Sequence, residues 1–262
     1  MFHLVRVDIR GWSQFTRTQS AISAISEFPR FRPKWTSESR RYLPKELYLP
    51  THLMVKGNLG VRSLPRIGIG GTRSPNVEVF ESVAAICAIL ARSGAALVSG
   101  GVPGVDAACH IASLDHHAGT IVVLANAVNS GLAANGWGSE ALSQAVCRNG
   151  LFVSEFDDTV RITDERFRQR LLQRDRIISG LSDAFVAFEC SVDSATVDTA
   201  TRALAQGAKV FVVHPPVIRE RKGTFQIATD QRTIAFDPND LDSFLIAKRI
   251  IDSIDRNESI LG

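Results

Sequence analysis

Long hydrophobic runs are missing from this 262-residue chain. Its longest apolar stretches, such as Thr120–Ala127, fall far short of the ~20 residues that a membrane helix needs, so a membrane-spanning class is excluded. The start, Met1-Phe2-His3-Leu4-Val5-Arg6, lacks the continuous apolar core of a secretory leader, and the expected location is the cytoplasm. Cysteine is scarce. Cys87, Cys109, Cys147 and Cys190 include no Cys-x-x-Cys pair and no metal-like spacing, which argues against disulfide frameworks and metal modules and for reduced, buried thiols. Acidic residues are thin at one end: residues 1–66 carry 12 Lys/Arg against 4 Asp/Glu, whereas 67–262 carry 18 against 23. A basic segment on a mildly acidic body suits an anionic partner, and a solvated basic tail is the alternative. What remains is an ordinary globular balance, 45% hydrophobic and 22% charged, unlike disordered or collagen-like chains.

The chain divides into residues 1–64, a basic extension and arm; 65–215, the main domain; and 216–262, a small appendage. In the extension, Pro29 and Pro33 interrupt any longer helix, leaving room for a short one over Ser13–Glu27. Pro44 and Pro50 mark an extended arm that ends at the Lys56-Gly57-Asn58 turn. From Arg66 onward, six short apolar runs rich in Val, Ile and Phe read as strands buried on both faces: Ile67–Gly70, Ala95–Ser99, Gly119–Leu124, Leu151–Glu155, Ala184–Glu189 and Lys209–Val213. Helical patterns lie between them, at about Asn76–Ser93, Pro103–His116, Gly138–Arg148, Asp164–Leu181 and Ser194–Gln206. This alternation predicts an α/β fold: a parallel sheet of about six strands with right-handed crossovers and helices on both faces. Thr224–Ala228 and Arg232–Phe236 are expected to form a hairpin. Asp240–Ile254 then has the spacing of an amphipathic closing helix.

Ligands of open parallel sheets bind beyond the carboxyl ends of the strands. Two glycine-rich turns fall there, Gly70-Gly71-Thr72-Arg73 and Ser99-Gly100-Gly101-Val102-Pro103-Gly104-Val105-Asp106. Glycine lets a backbone approach an anion, and helix N-terminal N–H groups supply donors. Arg73 and the hydroxyls of Thr72, Ser99, Ser194 and Thr196 would complete a phosphate cradle. No Gly-Lys-Ser/Thr follows either turn, and a full GxGxxG is absent, so P-loop and dehydrogenase chemistry are disfavoured. No Ser lies in a GxSxG elbow, which disfavours a serine hydrolase. Arg161, Arg166, Arg168, Arg170, Arg174 and Arg176 crowd one helix, with Arg166, Arg170 and Arg174 on one face by their spacing. Such a face suits a nucleic-acid backbone; the alternative is a solvated surface paired with Asp164, Glu165 and Asp175. Glu155 and Asp198 would be an acid/base pair if they met across the cleft, and are otherwise a cap and an orienting group. His110, His116 and His117 lack a carboxylate at ligand spacing, so no metal and no cofactor are expected.

In order, these residues resemble the DNA-processing protein A (DprA, also called Smf) family. The resemblance rests on Tyr42-Leu-Pro-Lys-Glu-Leu, Leu53-Met-Val-Lys-Gly-Asn58, Ile67-Gly-Ile-Gly-Gly-Thr-Arg73, Ser99–His110, Ser154-Glu-Phe156, Arg174–Ser182 and Asp193–Ala200. It covers roughly residues 42–215 and implies a Rossmann-like domain that binds single-stranded DNA without hydrolysing it. It also implies a RecA-type recombinase as partner, a role in DNA processing or natural transformation, and a possible homodimer. Carried onto this chain, the DNA phosphates would meet Gly71, Thr72 and Arg73 and the turn with Ser99, Gly100, Gly101, Gly104 and Asp106; the residue reading adds Arg174, Arg176, Ser194 and Thr196 to that site. The family's Tyr-Pro-basic segment after the third strand is replaced here by Asn126–Trp137, with neither Tyr-Pro nor a basic residue, and its Ser-Gly-Ser is Ser194-Ala195-Thr196. Ser182–Phe188 also resembles the LOG-type phosphoribohydrolases, which would make Arg174 a phosphate holder and Asp198 the group stabilising charge on ribose. The Pro-Gly-Gly of those enzymes is absent. A nucleotide-binding sensor domain is a third reading. The leading expectation is a DNA-binding protein that is not an enzyme.

Overall fold

A computed structural model describes residues 5–8, 52–205, 207–213, 222–237 and 241–258. The helix expected over Ser13–Glu27 lies outside these. The six apolar runs all become strands, within one or two residues of their expected ends. In chain order the strands are β1 (Val5–Asp8), β2 (His52–Gly57), β3 (Arg66–Gly70), β4 (Ala96–Gly100), β5 (Thr120–Val123), β6 (Gly150–Ser154), β7 (Ala184–Ala187), β8 (Lys209–Val213) and β9 (Thr233–Phe236). The helices are α1 (Val77–Arg92), α2 (Val105–Asp115), α3 (Glu140–Asn149), α4 (Glu165–Leu181), α5 (Ala195–Ala205), α6 (Lys222–Ala228) and α7 (Ser243–Glu258). Helix starts follow the side chains that cap them: Asn76 accepts from the Val79 N–H at 2.8 Å, Ser139 from Leu142 at 3.2 Å and Asp164 from Arg166 at 2.9 Å.

The strands form one nine-stranded sheet in the order β1-β2-β6-β5-β4-β3-β7-β8-β9. All neighbours from β6 to β9 run parallel, and β2 adds antiparallel to β6 with Met54 opposite Ser154. The sheet is therefore Rossmann-like and has nine strands among the described residues rather than about six. The arm supplies β2, and the C-terminal segment supplies β9. Side chains alternate between two cores. Ile67, Ile69, Leu97 and Phe211 pack under α1, α2 and α7; Val98, Ile121, Phe185 and Val212 pack under α4, α5 and α6. Phe152, Phe185, Phe188 and Phe211 are fully buried, each contributing roughly 1.5–3 kcal/mol of transfer free energy.

One expectation is corrected. Thr224–Ala228 is not a strand of a hairpin but part of helix α6, and β9 pairs in parallel with β8, Phe211 lying opposite Ile234. A five-residue run with apolar residues at Phe225, Ile227 and Ala228 is ambiguous between the two periods. Tertiary contact decides it here: the Thr224 hydroxyl accepts from the Cys190 N–H at 3.0 Å, and a Cβ on Gly223 would stand 2.1 Å from the Ser191 carbonyl oxygen. The closing helix forms as expected, burying Ile246, Ala247 and Ile250 against the α1 side.

Strands β3 and β7 are neighbours although the chain from β3 first builds β4, β5 and β6 outward on the other side. This reversal is a topological switch point, where a crevice opens between helices leaving the sheet on opposite faces. None of the described helices is long and apolar enough to cross a membrane.

Candidate nucleic-acid interface

At that crevice lies a cleft of about 60 Å³. The end of β3 and the turn after it contribute Gly70, Gly71 and Arg73; the turn after β4 contributes Val102 and the start of α2 Asp106; α4 contributes Arg174 and Asp175; and the start of α5 contributes Thr196 and Thr199. Of the residues expected to meet phosphate, Gly71, Arg73, Asp106, Arg174 and Thr196 come together here. Arg73 is exposed and makes no ion pair with any described residue.

The two glycine-rich turns are locked to each other. Gly104 has φ +88°, a region that L side chains seldom occupy, and a Cβ there would stand 2.4 Å from the Thr72 carbonyl oxygen and 2.5 Å from Arg73 backbone atoms. The Val105 N–H donates to that same Thr72 oxygen at 3.1 Å, and the Thr72 N–H donates to Glu189 at 2.7 Å. The backbone that carries Arg73 is thereby fixed from β4 and from β7 at once. Helix α2 begins here without a side-chain cap; the Thr72 carbonyl takes its first N–H, and Asp106 stands in its first turn.

Below the rim lies a buried polar network. The fully buried Ser99 hydroxyl stands 2.7 Å from the Ile69 carbonyl and 2.9 Å from Asp106 Oδ1. It holds Asp106 in place and does not itself line the cleft. Arg174, only 5% exposed, donates from Nη1 to the Val123 carbonyl at 3.1 Å. Its Nη2 is 3.5 Å from Asp106 Oδ2 and its Nε is 3.2 Å from Asp175 Oδ1. Gly100 lies directly beneath the guanidinium, where a Cβ would fall 1.4 Å from Nη1. From the other side His110 bridges the Gly100 carbonyl through Nε2 at 2.8 Å and Thr120 Oγ1 through Nδ1 at 2.7 Å. A carbonyl only accepts, so Nε2 carries the proton and Nδ1 accepts from the threonine. Burial lowers the His110 pKa, keeping the ring neutral. Burial pushes the Asp175 carboxyl up to about 7, against the pull of Arg174 and with Asp106 and Asp198 adding to the rise.

The remaining expected residues sit elsewhere. Gly101 packs against Asn135 and Leu124, and Thr72 Oγ1 accepts from the Ser74 N–H at 3.3 Å to close its own turn. The half-buried Ser194 has no hydrogen-bond partner for its hydroxyl among the described residues and does not line the cleft. Arg176 is buried and faces β6, where its two terminal nitrogens meet Glu155 at 2.7 and 2.6 Å. Nor do the α4 arginines form one open face. Arg166 turns back to Asp164, Arg170 stacks at 4.4 Å on the Phe156 ring while bonding Asp158 at 2.6 Å, and Arg174 is internal. Glu155 and Asp198 are taken up by different arginines, the latter by Arg202 at 2.7 Å on its own helix. Sequence reasoning missed Asp175 and Thr199 as cleft residues: beside so many arginines an aspartate reads as a surface ion partner. Its place after Arg174 in a stretch ending Ile177-Ile178, buried on the sheet, was the available signal. Among the described residues no three His, Cys, Asp or Glu converge as metal ligands.

The putative DNA processing protein DprA of Mycobacterium tuberculosis is 33% identical over 147 residues, covering 56% of this chain and 36% of that protein. The DNA processing protein DprA of Bacillus subtilis is 30% identical over 165 residues, 63% of this chain and 53% of the relative. The chain thus matches about half or less of these relatives' length. Among solved structures, DNA processing protein A of Helicobacter pylori, a protein with a described single-stranded DNA binding mode, superimposes with a TM-score of 0.64 at 21% identity. That match covers 80% of this chain and 94% of the other. The Streptococcus pneumoniae protein gives 0.61 at 23% identity, covering 76% and 69%. Both likenesses carry the fold. The model of the DNA recombination-mediator protein A family matches residues 33–245, most of the sequence, and the chain therefore belongs to that family.

Proposed function

We propose that this chain binds single-stranded DNA through its backbone phosphates at the switch-point cleft, without hydrolysing the strand. The observation that carries this reading is Arg73: an exposed guanidinium without an ion partner among the described residues, on a backbone fixed by two interlocked glycine turns at the rim of the cleft. A cation already paired within the protein must break that pair to hold a phosphate, whereas Arg73 loses only water. The single-stranded DNA binding described for the Helicobacter pylori relative supports the choice of ligand. Recombinase loading is the role that the family resemblance adds. Binding through phosphates is salt-sensitive and largely indifferent to base sequence.

Titration with a labelled oligo-dT at two salt concentrations, beside a duplex of equal length and nucleoside monophosphate competitors, tests this directly. Preference for the single strand, resisting the mononucleotides, is the expected outcome. Arg73→Ala should weaken the strand roughly five- to tenfold and lower the salt slope by about one unit, as loss of one phosphate contact does. Unchanged affinity and slope would remove Arg73 from the interface. No strand binding, with a mononucleotide raising the melting temperature, would replace DNA by a small nucleotide.

A further inference from the structure

Two carboxylates line the cleft, and only one of them is completed by a hydrogen bond. Asp106 is held by the Ser99 hydroxyl at 2.9 Å. Asp175, 4% exposed, meets Arg174 Nε through Oδ1, but its Oδ2 has no hydrogen-bond partner among the described residues. With both aspartates ionised they outnumber the single buried guanidinium between them, and the floor of the cleft is net negative. Among the described residues, the surrounding elements do not correct this. On α5, Asp198 and Arg202 neutralise each other; β4 and β5 carry no titratable side chain; on β3 the only charge, Arg66, stands at the far end with Asp183. His110 on α2 is neutral, and Arg73 is at the rim. A phosphate entering this floor meets an uncompensated carboxylate, and one proton removes the repulsion while turning Oδ2 into a donor.

We propose that Asp175 gates the cleft for anions, and that a DNA phosphodiester seats there together with a proton on Asp175. This rests on the phosphate reading above and adds its regulation. The carboxyl, raised by burial to about 7, changes charge within the neutral range. The sign follows: strand affinity rises as pH falls through about 7 and declines above it.

The test compares the wild-type chain with Asp175→Asn, which keeps the shape, removes the charge and supplies a fixed N–H donor. A 5′-hydroxyl oligo-dT avoids a titrating terminal phosphate. At constant ionic strength, wild-type affinity should weaken roughly three- to tenfold between about pH 6 and pH 8. The Asn variant should lose most of that dependence and bind at the higher pH at least as tightly as wild type does at the lower. Groups remote from the cleft are the same in both proteins, so the comparison cancels them. Calorimetry in two buffers of different ionisation enthalpy gives a readout on wild type alone: uptake of a fraction of a proton near neutral pH. Equal pH slopes in the two proteins, or no proton uptake by wild type, would overturn the gating role while leaving strand binding intact. Absence of strand binding at every pH would overturn the phosphate reading and the gate together.

Discussion

Arg174→Met is expected to cost about 3–5 kcal/mol of folding stability, the range for removing one partner of a buried ion cluster. The substitution strands Asp106 and Asp175 beside each other with no cation between them, and leaves the Val123 carbonyl without its donor. At roughly 2–4 °C per kcal/mol for a chain of this size, the melting temperature should fall by roughly 6–20 °C. Its pH dependence identifies the cause. The stranded carboxylates oppose folding only when ionised, so the deficit should be largest above about pH 7, where Asp175 is charged, and shrink on acidification. Thermal melts at two pH values check both statements. Arg174→Lys should fall between, because one ammonium keeps the charge but cannot span two carboxylates and a carbonyl. A methionine variant melting within about 2 °C of wild type would mean that the cluster is dispensable.

Gly104→Ala is expected to damage both stability and binding. Its Cβ would press into the Thr72 and Arg73 backbone at 2.4–2.5 Å, and the residue would have to hold φ +88°. The left-handed strain and the overpacking each cost about 1–3 kcal/mol. Backbone cannot step aside as a side-chain tip can, so the two turns must separate and carry Arg73 with them. Strand affinity should therefore fall at least as far as in Arg73→Ala, roughly tenfold, with a melting temperature lower by roughly 4–24 °C. A variant with wild-type melting and affinity would show that Arg73 does not depend on the lock between the turns.

Much of the fold was legible because a strand buried on both faces must be continuously apolar: Ile67–Gly70, Ala184–Ala187 and Lys209–Val213 announce themselves. The pairing of β2 beside β6 was not legible, since nothing local in His52–Gly57 specifies a partner around a hundred residues away. Helix α6 escaped for the same reason, its identity being settled by docking against Cys190 and Ser191. In the site, the glycine turns could be read because glycine spacing reports backbone approach directly. The burial of Arg174 could not, because a charge within an arginine-rich helix reads as surface until its neighbours across the sheet are known. Arg176 went the same way, drawn to Glu155 rather than to the cleft.

Gly100 is clasped from both sides, by the Arg174 guanidinium over its Cα and by the His110 ring at its carbonyl. The guanidinium thus fills the space of an atom that glycine does not have, while the imidazole holds the same residue by its carbonyl. An ancestor that gained a side chain at position 100 would have had to surrender the long one at 174 in the same step or lose the fold between them. A change at either position therefore requires a change at the other, although they lie far apart along the chain. Across divergent homologues they should stay fixed together or change together.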